Sequence, residues 1–190
     1  MLANELLTRL GDQVRDFLER DTLVIGICNG FQVLVKTGIL PGGVAGMGAQ
    51  TATLAWNDCG HFEDRWVHLQ PHSTKCVFVK DSDIIELPVA HAEGKFLPRD
   101  DAVLANLREN DQIVFRYVAP DGSAPDYPAN PNGSVDDVAG VCDPTGRVLG
   151  MMPHPERYVL GYHGPRWTRE GLKPEGDGAP IFANALVYFG

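Results

Sequence analysis

The sequence has no long apolar run and no excess of positive charge, and each absence excludes a class of protein. No stretch reaches the roughly 18 consecutive apolar residues that a membrane-spanning helix requires. Lys and Arg total 16 against 25 Asp and Glu, for a net charge of −9. The chain therefore lacks the basic face with which a protein neutralises nucleic-acid phosphates. We expect neither a membrane nor a nucleic acid as a partner.

Cysteine is also scarce, and no two cysteines form a C-x-x-C pair. The four thiols belong to Cys28, Cys59, Cys76 and Cys142. The first twenty residues carry acidic side chains among the leucines, which is not typical of a secretory signal. In such a chain the thiols are expected to stay reduced. The predicted location is the cytoplasm.

The length and overall composition of the chain fit one globular domain. The chain has 190 residues, of which 44% are hydrophobic and 22% are charged. A domain of this size can bury a sizeable core. No internal repeat and no break in composition marks a second domain, so we predict a single domain over residues 1–190.

Hydrophobic periodicity predicts an α/β fold. Apolar residues at three- and four-residue steps predict a helix over residues 2–19. Residues 22–27 form a short apolar run that predicts a strand buried on both faces of a parallel sheet, and residues 31–36 predict a helix that stops at Gly38. Further strands are predicted at 51–56, 65–69, 76–79, 87–90, 113–117, 138–142 and 147–151, a helix at 100–110, and loops at 120–134 and 161–180.

The sharpest chemical signal is a cysteine between two glycines. Gly26-Ile27-Cys28-Asn29-Gly30 lies where the first predicted strand meets the next helix, as in a nucleophile elbow. There the helix N-terminus favours a thiolate, and the N–H of Asn29 can point at a developing oxyanion. Because G-x-C-x-G alone is a weak motif, a structural cysteine in a glycine-rich turn is the alternative.

A candidate base follows the last predicted strand. Pro153-His154-Pro155-Glu156 lies at that strand's end, where open α/β sheets place ligands. The prolines stiffen the backbone, and in an extended chain residues two apart point the same way. Glu156 can then bond one imidazole nitrogen while the other faces Cys28. The alternative is a hydrogen-bonded surface histidine, but with the elbow the pattern predicts a Cys28–His154–Glu156 triad.

Five motifs, in order along the chain, carry a resemblance to a known family. They are Gly-Ile-Cys-Asn-Gly-Phe-Gln-Val-Leu (26–34), Thr-Gly-Ile-Leu-Pro-Gly (37–42), Pro-Val-Ala-His-Ala-Glu-Gly (88–94), Asn-Pro-Asn-Gly-Ser (130–134) and Gly-Met-Met-Pro-His-Pro-Glu-Arg (150–157). From residue 15 to residue 158, and more weakly to the end, the chain resembles the glutaminase subunits of phosphoribosylformylglycinamidine synthases. These subunits are class I, triad-type glutamine amidotransferases.

The resemblance implies a flavodoxin-like α/β fold with a largely parallel central sheet. It implies hydrolysis of L-glutamine to L-glutamate and ammonia. The ammonia would pass to a synthetase subunit that converts formylglycinamide ribonucleotide to formylglycinamidine ribonucleotide in purine biosynthesis, with a small accessory subunit as a second candidate partner. ATP and Mg²⁺ would bind the synthetase, so no cofactor is expected in this chain.

By motif position, the resemblance implies that Cys28 is the nucleophile, His154 the base and Glu156 its orienter. It places the bound glutamine near the elbow and near the fourth motif. The implied substrate-binding residues are Gly26, Asn29, Gly30, Gln32, Asn130, Asn132, Gly133 and Ser134. His91 and Glu93 are assigned to this rim or to the contact between subunits, next to Ala92, where the family has glycine.

The chain departs from the family at its start. Family members carry several strands and helices before the nucleophile strand, including a glycine loop that donates the second oxyanion N–H. We expect Met1 to be an internal start, so that the chain is the C-terminal two-thirds of the usual domain and lacks half of the oxyanion hole. Loss of one such donor typically costs roughly 10²–10³ in rate. Pro41-Gly42-Gly43 resembles that loop only superficially, because it belongs to the second motif.

Three other interpretations stay open. In the first, the truncated chain has no glutaminase activity and serves only as an interaction module for the synthetase. In the second, the chain is the glutaminase of another class I amidotransferase, because G-x-C-x-G with His-Pro-Glu recurs among these enzymes. The third is a metal cluster made of Cys59, His61, His68, His72 and Cys76. Zinc sites favour paired ligands at short spacing, so ordinary strand and loop residues are the simpler explanation and no metal is predicted.

Overall fold

The computed structural model describes residues 2–190; Met1, and with it the expected internal start, lies outside the described residues. The helices are α1 (Leu2–Glu19), α2 (Asn29–Lys36), α3 (Ile39–Gly46), α4 (Asp101–Glu109), α5 (Trp167–Glu170) and α6 (Ala179–Tyr188). The strands are β1 (Val24–Ile27), β2 (Ala52–Ala55), β3 (Glu63–Pro71), β4 (Ile85–His91), β5 (Lys95–Pro98), β6 (Ile113–Val118), β7 (Val138–Cys142) and β8 (Val148–Met151). The predicted α/β class is confirmed.

One predicted strand is wrong, and four elements were not predicted. Residues 76–79 form a turn, because nearby side chains bond the backbone leading into it. The Asp111 carboxylate accepts the N–H groups of Thr74 and Lys75, and the Ser73 hydroxyl accepts that of Cys76. These contacts satisfy donors that a strand would need for its ladder. The sequence patterns miss strand β5 and the helices α3, α5 and α6. Helix α5 and the start of α6 lie inside the predicted loop 161–180.

The central sheet is mixed, which corrects the prediction of a largely parallel one. Its strand order is β1-β8-β7-β6-β3-β4. Within residues 2–190, β1 and β8 are its one parallel pair, and all other neighbours run antiparallel. A short turn joins β7 to β8, and such a turn can only join antiparallel strands, since a parallel pair needs a long crossover.

Strand β1 lies at the edge of this sheet and pairs with β8 alone. Val24, Ile25 and Ile27 are half-buried, and Gly26 is buried. The prediction that this strand is buried on both faces is therefore wrong. Its apolar sequence reflects packing against α2 and the core face, with one edge of the ladder unpaired in the described chain.

Two apolar clusters cover the two faces of the sheet. On one face, Phe31 of α2 and Leu107 of α4 pack with Ile113 and Val148. On the other face, Phe115 and Leu149 pack with Ile181 of α6. Neighbouring residues such as Val148 and Leu149 fall in different clusters, as the alternation of side chains along a strand requires. Among the helices of residues 2–190, none has both the length and the apolar content to span a membrane.

The sheet curls until its two edges approach each other. β1 and β4 are the outermost strands in the pairing order. Even so, the Cys28 thiol, just beyond β1, lies 3.8 Å from the Ala90 carbonyl of β4. The N–H of His154, just beyond β8, donates to the Pro88 carbonyl of β4 at 2.8 Å. This closure brings the end of β4 over the nucleophile candidate.

Candidate active site

Cys28 occupies a strained turn between β1 and α2. Its backbone has φ 51° and ψ −106°, a left-handed conformation that is uncommon for a residue with a side chain. The Cys28 N–H donates to the Met151 carbonyl of β8 at 2.8 Å, and its carbonyl accepts the N–H of Gln32 at 3.1 Å. The turn is thus held from both sides, as in the nucleophile elbow predicted from the sequence.

Gly26 allows this turn to pack closely against α2. A Cβ at this position would lie 2.5 Å from Leu34 Cδ1 and 2.9 Å from the Gly30 carbonyl carbon. The Leu34 side chain can move, but the Gly30 backbone belongs to the helix and cannot yield without shifting α2. Gly26 therefore positions the elbow, whereas Gly30 has open space beside it.

Gly26→Ala is expected to destabilise the protein by about 1–3 kcal/mol, because the added methyl group overpacks against helix backbone. Urea unfolding followed by circular dichroism measures the change. Gly11→Ala is the matched control: Gly11 lies inside α1, and a Cβ there meets nothing within 4 Å, so it should stabilise by up to about 1 kcal/mol. Equal stability of the Gly26→Ala and parental proteins would contradict the close packing of the elbow.

The Cys28 thiol is not held as a thiolate in the free protein. Burial raises the pKa of Cys28 above that of an ordinary cysteine, and the neighbouring Glu156 carboxylate adds to the increase. The Asn29 N–H and the Arg157 charge lower the pKa, but they do not outweigh burial. The predicted stabilisation of a thiolate is therefore wrong for the free protein, because desolvation exceeds the effect of the helix N-terminus. The thiol instead lies against the Ala90 carbonyl.

His154 is held by contacts on two sides. Its Nδ1 lies 2.6 Å from Glu156 Oε1, and its backbone N–H bonds to Pro88. An ionised carboxylate only accepts hydrogen bonds, so Nδ1 carries the proton and Nε2 carries the lone pair. That Nε2 is buried and has no hydrogen-bond partner within residues 2–190.

The backbone conformation that brings Glu156 to the His154 ring differs from the predicted one. Pro155–Arg157 is a 3-10 turn that follows His154, so the chain is not extended between His154 and Glu156. The turn brings the carboxylate back to the ring instead. The predicted pairing of His154 with Glu156 is confirmed.

Cys28 and His154 leave the sheet at the same end. β1 and β8 run parallel with Ile27 opposite Met151, so Cys28 follows β1 immediately and His154 follows β8 within three residues. Glu156 and Arg157 lie close enough to shift the pKa of the Cys28 thiol. The geometry brings together a thiol, an imidazole with a free lone pair and an orienting carboxylate, which is the set that nucleophilic catalysis needs.

Three predicted substrate-binding residues lie in the first turn of α2, beside the elbow. These are Asn29, Gly30 and Gln32. The Gln32 amide donates to the Glu93 carbonyl at 2.7 Å, which ties α2 to the segment after β4. Asn29 and Gln32 border a cleft of about 210 Å³ with Glu93 and Thr53.

The other predicted substrate-binding residues form an internally bonded loop. The Asn130 amide bonds to Asp137 Oδ1 and to the Ser134 carbonyl, and the Ser134 hydroxyl bonds to Asn132 Oδ1. The Asn132 amide donates to the Tyr117 hydroxyl at 3.2 Å. Gly133 has φ 76°, and a Cβ there would collide with the carboxylate of Asp58. The loop is rigid, and its side chains are bonded mainly to each other.

Tyr117 accepts a hydrogen bond from this loop and was missed by the sequence analysis. Burial raises the pKa of Tyr117, and negative charge on Cys28 raises it further. Arg157 and the Ala90 carbonyl were missed as well. The available signals were a tyrosine inside a mainly apolar strand and an arginine directly after His-Pro-Glu. A backbone carbonyl carries no signal in sequence.

Pro41-Gly42-Gly43 lies away from the nucleophile, as its place in the second motif predicts. The Pro41 carbonyl accepts a hydrogen bond from Gln112. A Cβ on Gly43 would lie 3.1 Å from Pro144 in the β7–β8 turn. That turn precedes β8, whereas Cys28 lies at the strand's other end.

The five residues considered as an alternative metal cluster do not come together as one group. Cys59 and His61 do lie with Glu63, with one ligand atom from each within 4.8 Å of the others, whereas His68, His72 and Cys76 are not part of this group. Its Glu63 carboxylate is paired with Arg65 and bonded to the Tyr127 hydroxyl. Despite its burial, these contacts lower the pKa of Glu63. The carboxylate is already neutralised by protein groups.

Comparison with known proteins identifies the family of this chain. Residues 1–189 match the family described as the CobB/CobQ-like glutamine amidotransferase domain. A protein of Dehalococcoides mccartyi named phosphoribosylformylglycinamidine synthase subunit PurQ is 48% identical over 192 residues, covering 99% of this chain and 72% of that protein. A protein of the same name from Methanococcus maripaludis is 39% identical over 199 residues, covering 98% of this chain and 73% of that protein.

One solved structure shares the fold of this chain. The chain superimposes on a chain of PurLQS from Thermotoga maritima with a TM-score of 0.71 and 29% sequence identity, covering 99% of this chain and 72% of the other. The family match thus extends over nearly all of the chain, and the elbow and the histidine lie within it. The chain belongs to the CobB/CobQ-like glutamine amidotransferase domain family.

Proposed function

We propose that this chain is the glutaminase subunit of a phosphoribosylformylglycinamidine synthase and that residues 1–190 act as one catalytic domain. One observation carries the proposal: the Cys28 thiol on its strained turn leaves the sheet at the same end as His154, whose Nδ1 bonds Glu156 and whose Nε2 has no partner in the described chain. The relatives named PurQ and the fold shared with PurLQS support the choice of reaction.

In the first half of the reaction, Cys28 forms a thioester with the substrate. His154 Nε2 takes the thiol proton while the sulfur attacks the side-chain amide carbon of glutamine. The carbonyl oxygen becomes an oxyanion that faces the Asn29 N–H. When the C–N bond breaks, the imidazolium returns a proton to the leaving nitrogen, and ammonia departs.

In the second half, water hydrolyses the thioester. His154 Nε2 takes a proton from water as its oxygen attacks the thioester carbonyl. The C–S bond breaks, the sulfur recovers a proton from the imidazolium, and glutamate leaves. The Glu156 carboxylate keeps the proton on Nδ1 throughout, so that Nε2 is the nitrogen that accepts and returns each proton.

The raised pKa of Cys28 fits this mechanism. A neutral thiol gains nucleophilicity only as the base removes its proton, so hydrolysis depends on His154. A thiol without bound substrate then stays protonated and is less prone to oxidation. The substrate-binding roles of Gly26, Asn29, Gly30, Gln32, Asn130, Asn132, Gly133 and Ser134 remain part of the proposal, with Gly26 acting through the elbow.

The ammonia is consumed by a synthetase subunit in the same complex. That partner would bind ATP and Mg²⁺ and convert formylglycinamide ribonucleotide to formylglycinamidine ribonucleotide, so this chain needs no cofactor for its own reaction. We also propose a cytoplasmic location. The four cysteines within the described residues are free thiols, which fits a reducing compartment.

A coupled assay tests the proposal. The chain, alone and with its synthetase subunit, is incubated with glutamine, and glutamate release is measured beside formation of formylglycinamidine ribonucleotide. We expect glutamate release that rises with the synthetase and product formation that depends on this chain when glutamine is the nitrogen source. Binding of the synthetase without glutamate release would instead support the interaction module. Glutamate release with no gain in product would indicate another class I amidotransferase.

A further inference from the structure

A second buried imidazole, that of His91, lies at the end of β4 and has no role in the mechanism above. The residue is 4% exposed. Its ring packs directly on the next tight turn, since a Cβ on Gly94 would lie 2.3–2.7 Å from three of its ring atoms. Its Nε2 is buried and makes no hydrogen bond to any residue from 2 to 190. Such buried polar atoms are rare and call for an explanation.

The hydrogen bonds of Asn57 determine which ring nitrogen of His91 carries the proton. The Asn57 amide nitrogen donates to two carbonyl oxygens, those of His61 and His91. Its amide oxygen accepts the N–H of Gly94 at 3.1 Å and lies 3.1 Å from His91 Nδ1. Because that oxygen can only accept, Nδ1 must carry the hydrogen. His91 Nε2 is therefore a lone-pair acceptor.

The imidazole stays neutral at physiological pH. Burial lowers the pKa of His91 to about 4, and repulsion by a protonated His154 ring contributes to the decrease. The carboxylate of Glu63, which lies opposite His91 on strand β3, raises the pKa of His91 and so partly opposes this decrease. Nε2 thus offers a lone pair, and not an N–H, under the conditions in which the enzyme works.

His91 is adjacent to both catalytic candidates. The carbonyl of the preceding residue, Ala90, lies 3.8 Å from the Cys28 thiol. Pro88 on the same strand bonds the backbone of His154, and the two rings are close enough for a protonated His154 to lower the pKa of His91. The strand that carries this unpaired acceptor therefore covers the elbow.

We propose that His91 Nε2 accepts a hydrogen bond from the carboxamide N–H of the bound substrate and so selects a primary amide. The inference rests on the proposed function and deepens it. A primary amide carries two N–H donors, whereas the product carboxylate and an ester carry none. A lone pair would repel the product carboxylate, which also favours its release. A site built to bond a substrate N–H discriminates strongly against an analogue that lacks it.

The test compares an amide with an ester that gives the same thioester. Steady-state kcat/KM is measured for L-glutamine and for L-glutamate γ-methyl ester, with the full chain and its synthetase subunit. His91→Asn places its side-chain amide where Nδ1 contacts Asn57 but removes the acceptor at the Nε2 position. His91→Gln places an amide oxygen near that position. His163→Asn is the matched control, because its Nδ1 is also buried without a partner in the described chain.

We expect His91→Asn to lower kcat/KM for glutamine by about tenfold and to leave the ester nearly unchanged, as loss of one hydrogen bond predicts. His91→Gln should recover part of the amide preference, and His163→Asn should not alter the ratio. An equal loss for both substrates would reveal a purely structural role and overturn the proposal, as would a changed ratio in His163→Asn. A parental protein that hydrolyses neither substrate would instead refute the proposed function itself.

Discussion

Replacement of Cys28 by alanine is expected to lower glutamine hydrolysis by about 10⁵–10⁶-fold, to the level of background. The side chain that forms the thioester is then absent, and neither His154 nor the Asn29 N–H can supply a nucleophile. Glutamate release by the purified chain with its synthetase subunit measures the effect. Synthesis from added ammonium salt by the same complex should persist, because that reaction does not use the thiol.

A second thiol serves as the matched control. Cys59 is half-buried and free like Cys28, but it lies in the loop before β3. Cys59→Ala should retain glutamine hydrolysis within about twofold, since surface substitutions away from the site have small effects. Parental activity in Cys28→Ala, or equal losses in both variants, would contradict the assignment of Cys28 as the nucleophile.

His154→Ala is expected to slow thioester formation by about 10⁴-fold, the upper range for loss of a general acid–base group. The effect should be large because burial raises the pKa of the Cys28 thiol, so few molecules carry a thiolate without a base to remove the proton. Rapid-quench measurement of acylation in a single turnover isolates this step from hydrolysis of the thioester.

Glu156→Gln separates the orienting role from the base itself. The Glu156 side chain is 44% exposed, so solvent can partly replace its bond to Nδ1. We expect a smaller loss than in His154→Ala, of roughly 10²-fold in acylation. If the Glu156 variant lost as much as the His154 variant, the carboxylate would have a more direct part in proton transfer. If the Glu156 variant kept the parental rate of acylation, Glu156 would have no catalytic role and only Cys28 and His154 would act in the reaction.

The local chemistry of the site could be predicted from the sequence because it depends on short-range rules. Glycine at position 26 and a nucleophile between strand and helix predict the elbow, and the structure has that turn with Cys28 at φ 51°. His-Pro-Glu predicts the bonded pair that is found at 2.6 Å. In both cases the residues involved are close in the chain, so backbone stiffness and spacing largely determine their contacts.

The electrostatics of the nucleophile could not be predicted in this way. The helix N-terminus at Asn29 is visible in the sequence, and it does lower the pKa of Cys28. Burial has the larger effect, and it depends on which distant segments cover the thiol. One of those segments is β4, whose Ala90 carbonyl meets the sulfur across 62 residues of chain.

The amino-acid sequence by itself determined the α/β class, the elbow at Cys28 and the pairing of His154 with Glu156, because each follows from local periodicity, turn chemistry or spacing. Only the tertiary structure decided the mixed strand order, the position of β1 at the sheet edge and the approach of His91 to the catalytic pair. The strand order and the edge position depend on pairing between segments distant in the chain. The approach of His91 depends on how far the sheet curls, which follows from strand twist and long-range packing that no short segment encodes.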